Sequence, residues 1–257
     1  MKINLRLVLI FAISWVEIAQ AKGGPPEGFS LGAGYVFSTS EYLGVKNNHL
    51  PMPFFSYLKG DLFIRGLSAS YKVYQSSFFK AGLLLDGKFF SEGYEASDST
   101  ALRGMDERKG TVKGGGQIDL TIGYMEVKAS LVKDLIGVHG GIEGELGLGM
   151  DFPVSVLFKK LPFTMIGGTL GYKFNDESFN NYYYGIKSNE VTSTRPAYVT
   201  SSSLSPFASS FLRVSRNQSW TLMTIYRLEW LAGEVKNSPI VDKVQKSSVI
   251  MFLTYKF

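Results

Sequence analysis

The sequence predicts an all-β protein, an antiparallel transmembrane β-barrel of about twelve strands, with ten as the alternative. Three observations carry this. The chain opens on an export signal, its body alternates polar and apolar residues with a period of two, and its last strand ends on a bare aromatic, Phe257. A soluble terminus is ordinarily polar and frayed. Here Val249, Met251, Leu253, Tyr255 and Phe257 form one continuous apolar face up to the final residue.

The first 21 residues read as a cleaved signal peptide. Lys2 and Arg6 precede an apolar run from Leu7 to Val16, and Ala19-Gln20-Ala21 supplies a small-x-small cleavage pattern. The run is short for a membrane span and Glu17 interrupts it. No cysteine follows the site, so no lipid-anchored form is expected. The mature domain is then 22–257, a single barrel domain. Removing Lys2, Arg6 and Glu17 from the 27 basic and 22 acidic residues leaves a net charge of +4, too small to point to nucleic acid.

Composition is permissive rather than decisive. Hydrophobic residues make up 45% and aromatics 14%, with 28 glycines. Mean hydropathy is only +0.04, as expected when a strand shows lipid at every second position. The absence of cysteine excludes disulfides, zinc–thiolate sites and cysteine nucleophiles. With only His49 and His139, no multi-histidine metal site is expected, and no cofactor is implied.

The alternation runs through segments of about ten residues separated by turn residues. In FSLGAGYVF, Phe29, Leu31, Ala33, Tyr35 and Phe37 oppose Ser30, Gly32, Gly34 and Val36. In GGQIDLTIGY, Ile118, Leu120, Ile122 and Tyr124 oppose Gln117, Asp119 and Thr121. Ile142, Leu146, Leu148 and Met150 oppose Glu143 and Glu145. Trp220, Leu222, Tyr226, Leu228 and Trp230 oppose Thr221, Arg227 and Glu229. The same period serves a periplasmic β-sandwich, so periodicity alone leaves both folds open. Aromatics at the ends of apolar faces, a polar face of glycines and mixed charges, and the aromatic terminus favour the barrel. Strands are expected near 28–38, 49–59, 61–74, 78–89, 112–124, 126–135, 139–151, 154–160, 163–174, 197–214, 219–231 and 247–257. Long polar stretches at 91–110, 175–196 and 232–246 read as external loops, and the Gly123-Tyr124-Met125 and Lys159 to Pro162 junctions as tight turns.

The candidate functional residues follow from the polar face. Asp119, Lys128, Glu143, Glu145, Arg227 and Glu229 should point into the lumen, where they either line a solute path or close it by pairing. Tyr182, Tyr183 and Tyr184 form a loop cluster that suits either a partner surface or packing over the mouth. Arg195, before Pro196, is expected to pair with a carboxylate where the loop returns to a strand. His139 lies five residues after Asp134, the arrangement nearest to an acid–base pair, but a turn or rim role is the simpler reading, and no catalytic residue is assigned. Gly114–Gly116 lacks the following Lys-Ser/Thr of a phosphate loop and reads as a strand start where larger lumen side chains would clash. Leu253, Tyr255 and Phe257 are the lipid-facing end of the closing strand.

The stretch GAGYVFSTSEYLGVKNNHLPMPFFSYLKGDLFI, then LRGMDERKGTVKGGG, DLIGVHGG, YYYGI, RPAY, SPIV and the closing LTYKF occur in order through nearly the whole mature chain. Together they resemble the MipA/OmpV family of outer-membrane proteins. Lys113-Gly114-Gly115 departs from the family pattern, which has an acidic residue before the glycine, and this bears on a loop-base contact. The resemblance implies a barrel in the outer membrane, with lipid and the barrel-assembly machinery as partners and no catalytic motif. It implies a scaffold for a lytic transglycosylase and a peptidoglycan synthase, or alternatively a small-solute uptake, antibiotic-response or adhesion barrel.

Overall fold

The computed structural model describes residues 27–88, 92–154, 163–216 and 219–257. The expected signal peptide and its cleavage site lie outside the described residues. Twelve antiparallel strands close into one barrel: β1 (Gly28–Ser38), β2 (Asn48–Lys59), β3 (Leu62–Arg65), β4 (Ser68–Gln75), β5 (Phe79–Gly87), β6 (Val112–Ile122), β7 (Met125–Asp134), β8 (Ile142–Pro153), β9 (Thr164–Asn175), β10 (Ser203–Arg216), β11 (Trp220–Trp230) and β12 (Gln245–Lys256). Each strand pairs with its sequence neighbours, and β12 returns to β1 in a register running from Ser30↔Lys256 to Ser38↔Ser248.

Two short helices, α1 (Glu177–Tyr184) and α2 (Gly233–Lys236), lie in the loops at one end. No described helix is long and apolar enough to cross a membrane. Closure is what permits strands to cross, because a bilayer core offers no water to an unpaired sheet edge.

Side-chain direction agrees with the alternation. Leu31, Ile118, Leu148, Leu170, Leu222 and Leu253 point outward and are exposed to the lipid, while Asp119, Glu143 and Met223 on the opposite parity are buried inside. The aromatic end of β12 joins an outer girdle. Phe257 packs against Phe29 and Tyr255, and Tyr255 packs edge-on against Trp220. The Phe257 N–H also donates to the Phe29 carbonyl, fastening the terminus to β1.

Two expectations are corrected, and a third lies outside the described residues. The segment expected as one strand over 61–74 is a hairpin, β3 and β4, reversed at Gly66 with a positive φ of 57°. Only a two-residue turn intervenes, so the hydrophobicity continues through it and hides the break. The strand expected at 154–160 falls, apart from Val154, on residues outside the described set; β8 pairs directly with β9 from Glu143↔Asn175 to Pro153↔Met165. The stretch 197–202 belongs to a loop, and β10 starts at Ser203.

The lumen-facing glycines allow strands to approach closely. A Cβ at Gly115 would fall on the Leu131 carbonyl of β7, and one at Gly32 on the Leu253 carbonyl of β12. Both contacts are with backbone, which cannot rotate away.

Two outcomes follow. Gly115→Ala should lower barrel stability by about 1–3 kcal/mol, the usual cost of overpacking, measured as a reduced urea midpoint with unchanged m. Deleting Phe257, or replacing Tyr255 and Phe257 by Asp, should reduce insertion, read by immunoblot of outer-membrane fractions. Normal levels would refute an assembly role for the terminal strand.

Candidate functional site

The barrel interior is divided into an apolar patch, a charged belt and a lid. The apolar patch comes from β1, β2, β11 and β12, where Val36, Met52, Phe54, Met223, Ile250 and Phe252 all face inward and are buried together. Phe54 and Phe252 stack at 4.4 Å with an interplanar angle of 7°. The lumen is therefore not polar throughout: one wall is packed as a core, and large side chains fill the space that a wide pore would need.

The charged belt sits above that patch. All six residues expected in the lumen face inward. Arg227 bonds Glu145 with both terminal nitrogens, at 2.8 and 3.2 Å, lies 3.9 Å from Glu229, and stacks over Phe207. Glu143 contacts Lys113 and lies 3.6 Å from Lys173. Lys113 also bonds Glu92 at 2.5 Å, so it ties the base of the β5–β6 loop to β8. Lys128 pairs with Glu126 at 2.9 Å and sits lower, opposite Asp119 in the β6–β7 register.

The belt includes partners not singled out in the sequence, Arg65, Asp86, Lys88, Glu92 and Lys173, and Lys113, which the sequence marked only as a departure at a loop base. Strand parity could have found Lys113 and Lys173, which share the inward face with Asp119 and Gly171. Glu92 lies in a loop, where no period applies.

The lid is built from the 39–47, 92–111, 176–202 and 231–244 segments. Tyr42, Leu102, Phe179, Tyr183, Val235 and Ile240 form its core. Helix α1 has a legible start, since Asp176 accepts the Phe179 N–H at 2.9 Å and Glu177 occupies the first turn. Phe179 and Tyr183, one helical turn apart, then share a face, with their rings tilted at 51° and 4.7 Å apart.

This placement settles the tyrosine cluster sterically. Tyr183 and Tyr184 are buried in the lid rather than displayed to a partner, and Tyr182 is half-buried with its hydroxyl accepting the Lys109 N–H. Burial, reinforced by nearby Glu92 for Tyr183 and by Tyr184's neighbour Glu41, pushes both hydroxyls far above ordinary tyrosine values.

Two buried arginines fasten the lid at Glu190. Arg108 donates from Nη2 to both Glu190 carboxylate oxygens, at 2.8 and 3.0 Å, and from Nε to the Tyr182 carbonyl. Arg195 does not find the expected carboxylate. It donates to three backbone carbonyls, Ala101, Arg103 and Glu190, because the fork of its guanidinium fits loop carbonyls that no strand satisfies. Burial alone would raise the Glu190 pKa, but N–H groups of Lys187 and Asp106 and the Arg108 guanidinium hold it below the ordinary 4.5.

Asp134 and His139 do not make an acid–base pair. Asp134 accepts hydrogen bonds from Thr111 Oγ1 and from the N–H groups of Ile136, Gly137, His139 and Gly140, so it organises the β7–β8 turn. The His139 ring instead accepts the Gly141 N–H on Nδ1 and packs against Phe179. Burial depresses its pKa below 6.5, keeping it neutral. His49 is on the outer surface, hydrogen-bonded to the Tyr35 hydroxyl at 2.7 Å.

Comparison with known proteins fits this geometry. The family described as MltA-interacting protein MipA matches residues 31–257. The chain belongs to the MipA family. The "Putative outer membrane protein YiaT" of Escherichia coli K12 is 25% identical with both chains fully covered. The "MltA-interacting protein" of the same strain is 26% identical, covering 100% of this chain and 99% of the relative. "Outer membrane protein OmpV" of Vibrio cholerae is 26% identical over 64% of this chain and 61% of its own. Among solved structures, the COG4313 outer membrane channel from Pseudomonas putida F1 covers 95% of this chain and all of its own, with a TM-score of 0.45 and 9% identity. This MipA-family barrel is thus an outer-membrane protein, and its long-loop end faces outward, as in other outer-membrane barrels.

The lid yields a test. Glu190→Gln leaves Arg108 buried without its counter-charge, which costs about 3–5 kcal/mol. Trypsin should then cut the 176–202 loop while the barrel still migrates as folded on an unheated gel. Acid should act in the same direction. Glu190 has a depressed folded pKa, so its contribution is complete above 4.5 and is lost as pH falls through the lower folded value. His139 also favours its neutral form in the fold, so its contribution is complete above 6.5 and declines below it. Faster loop proteolysis by an acid-active protease at pH 4 than at pH 7, after correction for the protease's own rate, checks both.

Proposed function

We propose that this barrel acts without catalysis, as an outer-membrane scaffold that holds peptidoglycan-remodelling enzymes, a lytic transglycosylase and a peptidoglycan synthase, at its periplasmic face. The observation that carries the reading is the narrowed, lid-covered interior. An apolar patch, a paired charge belt and a packed lid suit a rigid platform better than a wide pore. The full-length likeness to a protein named for its interaction with MltA supports it.

Docking would use the inner rim, where the turns are short. Gly60-Asp61 joins β2 to β3, and Gly123-Tyr124 joins β6 to β7. A photo-crosslinking residue placed at Asp61 or Tyr124 should trap a transglycosylase or a synthase in cells. Clean recovery of the barrel without such adducts from either position would remove the scaffold reading.

A second reading, small-solute uptake or antibiotic response through the lumen, is favoured by one specific feature. Two interior cavities share Phe63, Ser70 and Gln117 in their linings, so open space continues along the β3–β6 wall. Planar-bilayer recording of the refolded, signal-free barrel separates the two readings. A silent, folded barrel is expected for the scaffold. Steady ion-selective channels would move the function to the lumen. Adhesion would instead act through the outer face of the lid.

A further inference from the structure

The ring closes, but its wall is not equally tall all round. β3 rises only to Arg65 before the chain reverses through Gly66 and Leu67, so it pairs with β2 over Ser56–Lys59 alone. β2 continues upward from Ser56 to Asn48, paired with β1 on its other side. Among the described residues, no strand covers the second edge of β2 from Asn48 to Phe54. A notch is left above the β3–β4 tip. It lies on the lipid-facing wall: Pro51, Pro53 and Phe55 point outward beside it and are exposed. The Tyr35 hydroxyl, hydrogen-bonded to His49 just above Pro51, marks the interface at its upper end.

An open sheet edge at membrane depth leaves backbone groups without partners. Here the sequence blunts the edge. The Gly66 N–H donates to the Phe55 carbonyl, so the odd-numbered residues of β2 turn their backbone polar groups toward the notch. Pro51 and Pro53 share that parity and have no N–H to leave unsatisfied. The same prolines stop another strand from adding to this edge, so a β-strand is not the occupant. The carbonyls that remain are tolerated where such an edge lines a cavity.

A cavity is present. The chamber beneath the lid, about 220 Å3, takes part of its lining from Ala69 and Leu85. These two are opposite one another in the β4–β5 register and face outward, on the parity of Tyr71 and Leu83, while their neighbours Ser68, Ser70 and Leu84 face inward. The chamber therefore has inward- and outward-facing residues of the same two strands in its lining, beside the hairpin tip. Val36 and Ile250 give it apolar sides, and Ser68 and Ser70 give it hydroxyls. Its size suits a small head and the start of one chain, not the body of a two-chain lipid.

We propose that the notch is a lateral portal through which a single-chain amphiphile, an acyl chain with a polar head, passes between the membrane and the chamber. The chain lies along Pro53, Ala69 and Leu85, and the head meets the serine hydroxyls inside. The inference goes beyond both functional readings above, because filling the chamber from the membrane requires neither a docked enzyme nor flux past the inner rim.

The test uses the folded, signal-free barrel in nanodiscs carrying a trace of diazirine-bearing palmitic acid, irradiated and mapped by mass spectrometry. Adducts are expected inside the barrel at Val36, Leu84 or Ile250, as well as at lipid-facing Leu148 on β8. Ala69→Trp puts a large side chain at the portal. It should lower the interior adducts at least about tenfold at sub-saturating probe, a loss of about 1.4 kcal/mol, and leave the Leu148 adduct within about twofold. Heat-modifiable migration reports folding, and Leu85→Trp fills the same rim if Ala69→Trp does not fold. Adducts confined to lipid-facing positions overturn the site. Interior adducts that persist undiminished in a folded tryptophan variant mean that the probe enters past Phe63, Ser70 and Gln117, and overturn the lateral route.

Discussion

The closure of β12 onto β1 is the constraint on which the rest depends. In a bilayer each strand must find a hydrogen-bonding neighbour on both sides, so a twelve-strand sheet exists there only as a ring. The aromatic terminus serves that closure: the Phe257 N–H reaches the Phe29 carbonyl, and Tyr255 meets Trp220 in the girdle. Glycine makes the ring tight where strand backbones converge, as at Gly32 against β12 and Gly115 against β7.

A closed ring of this size leaves an interior that must be filled or hydrated. This chain does both. One level is packed like a soluble core around Phe54 and Phe252, and the belt above it carries ionic side chains paired with opposite charges, which is what makes their burial tolerable. The belt also joins parts far apart in sequence. Lys113 holds a loop glutamate and a strand glutamate together, and Arg227 and Glu145 bridge β11 to β8. The ion pairs thus fix the cross-section as well as neutralising it.

The lid extends the same logic beyond the membrane. Its loops have few backbone ladders, and side chains supply the missing order: a tyrosine-rich core, the Asp176 cap on α1, and two arginines meeting at Glu190. A loop assembly held this way depends on a few side-chain contacts, whereas the wall beneath it is held by continuous strand pairing. The scaffold and solute readings differ in which part they use, the inner rim or the chamber under this lid.

The amino-acid sequence by itself determined the strand parity and the inward direction of Asp119, Lys128, Glu143, Glu145, Arg227 and Glu229, because a two-residue period is local to each strand; the aromatic ends of the apolar faces and the aromatic terminus, not the period, pointed to the barrel. It also held, in the pieces scattered from GAGYVF to LTYKF, the family to which the chain belongs. What only the tertiary structure decided depends on contacts between distant residues. The β3–β4 hairpin emerged from pairing, since Gly66 interrupts a segment whose hydrophobicity does not change. The burial of Tyr183 and Tyr184, the carbonyl partners of Arg195, and the union of Glu92 with Lys113 all join loops to strands or to other loops. No periodicity relates such positions, so their partners are set only when the ring closes and brings the loops over one mouth.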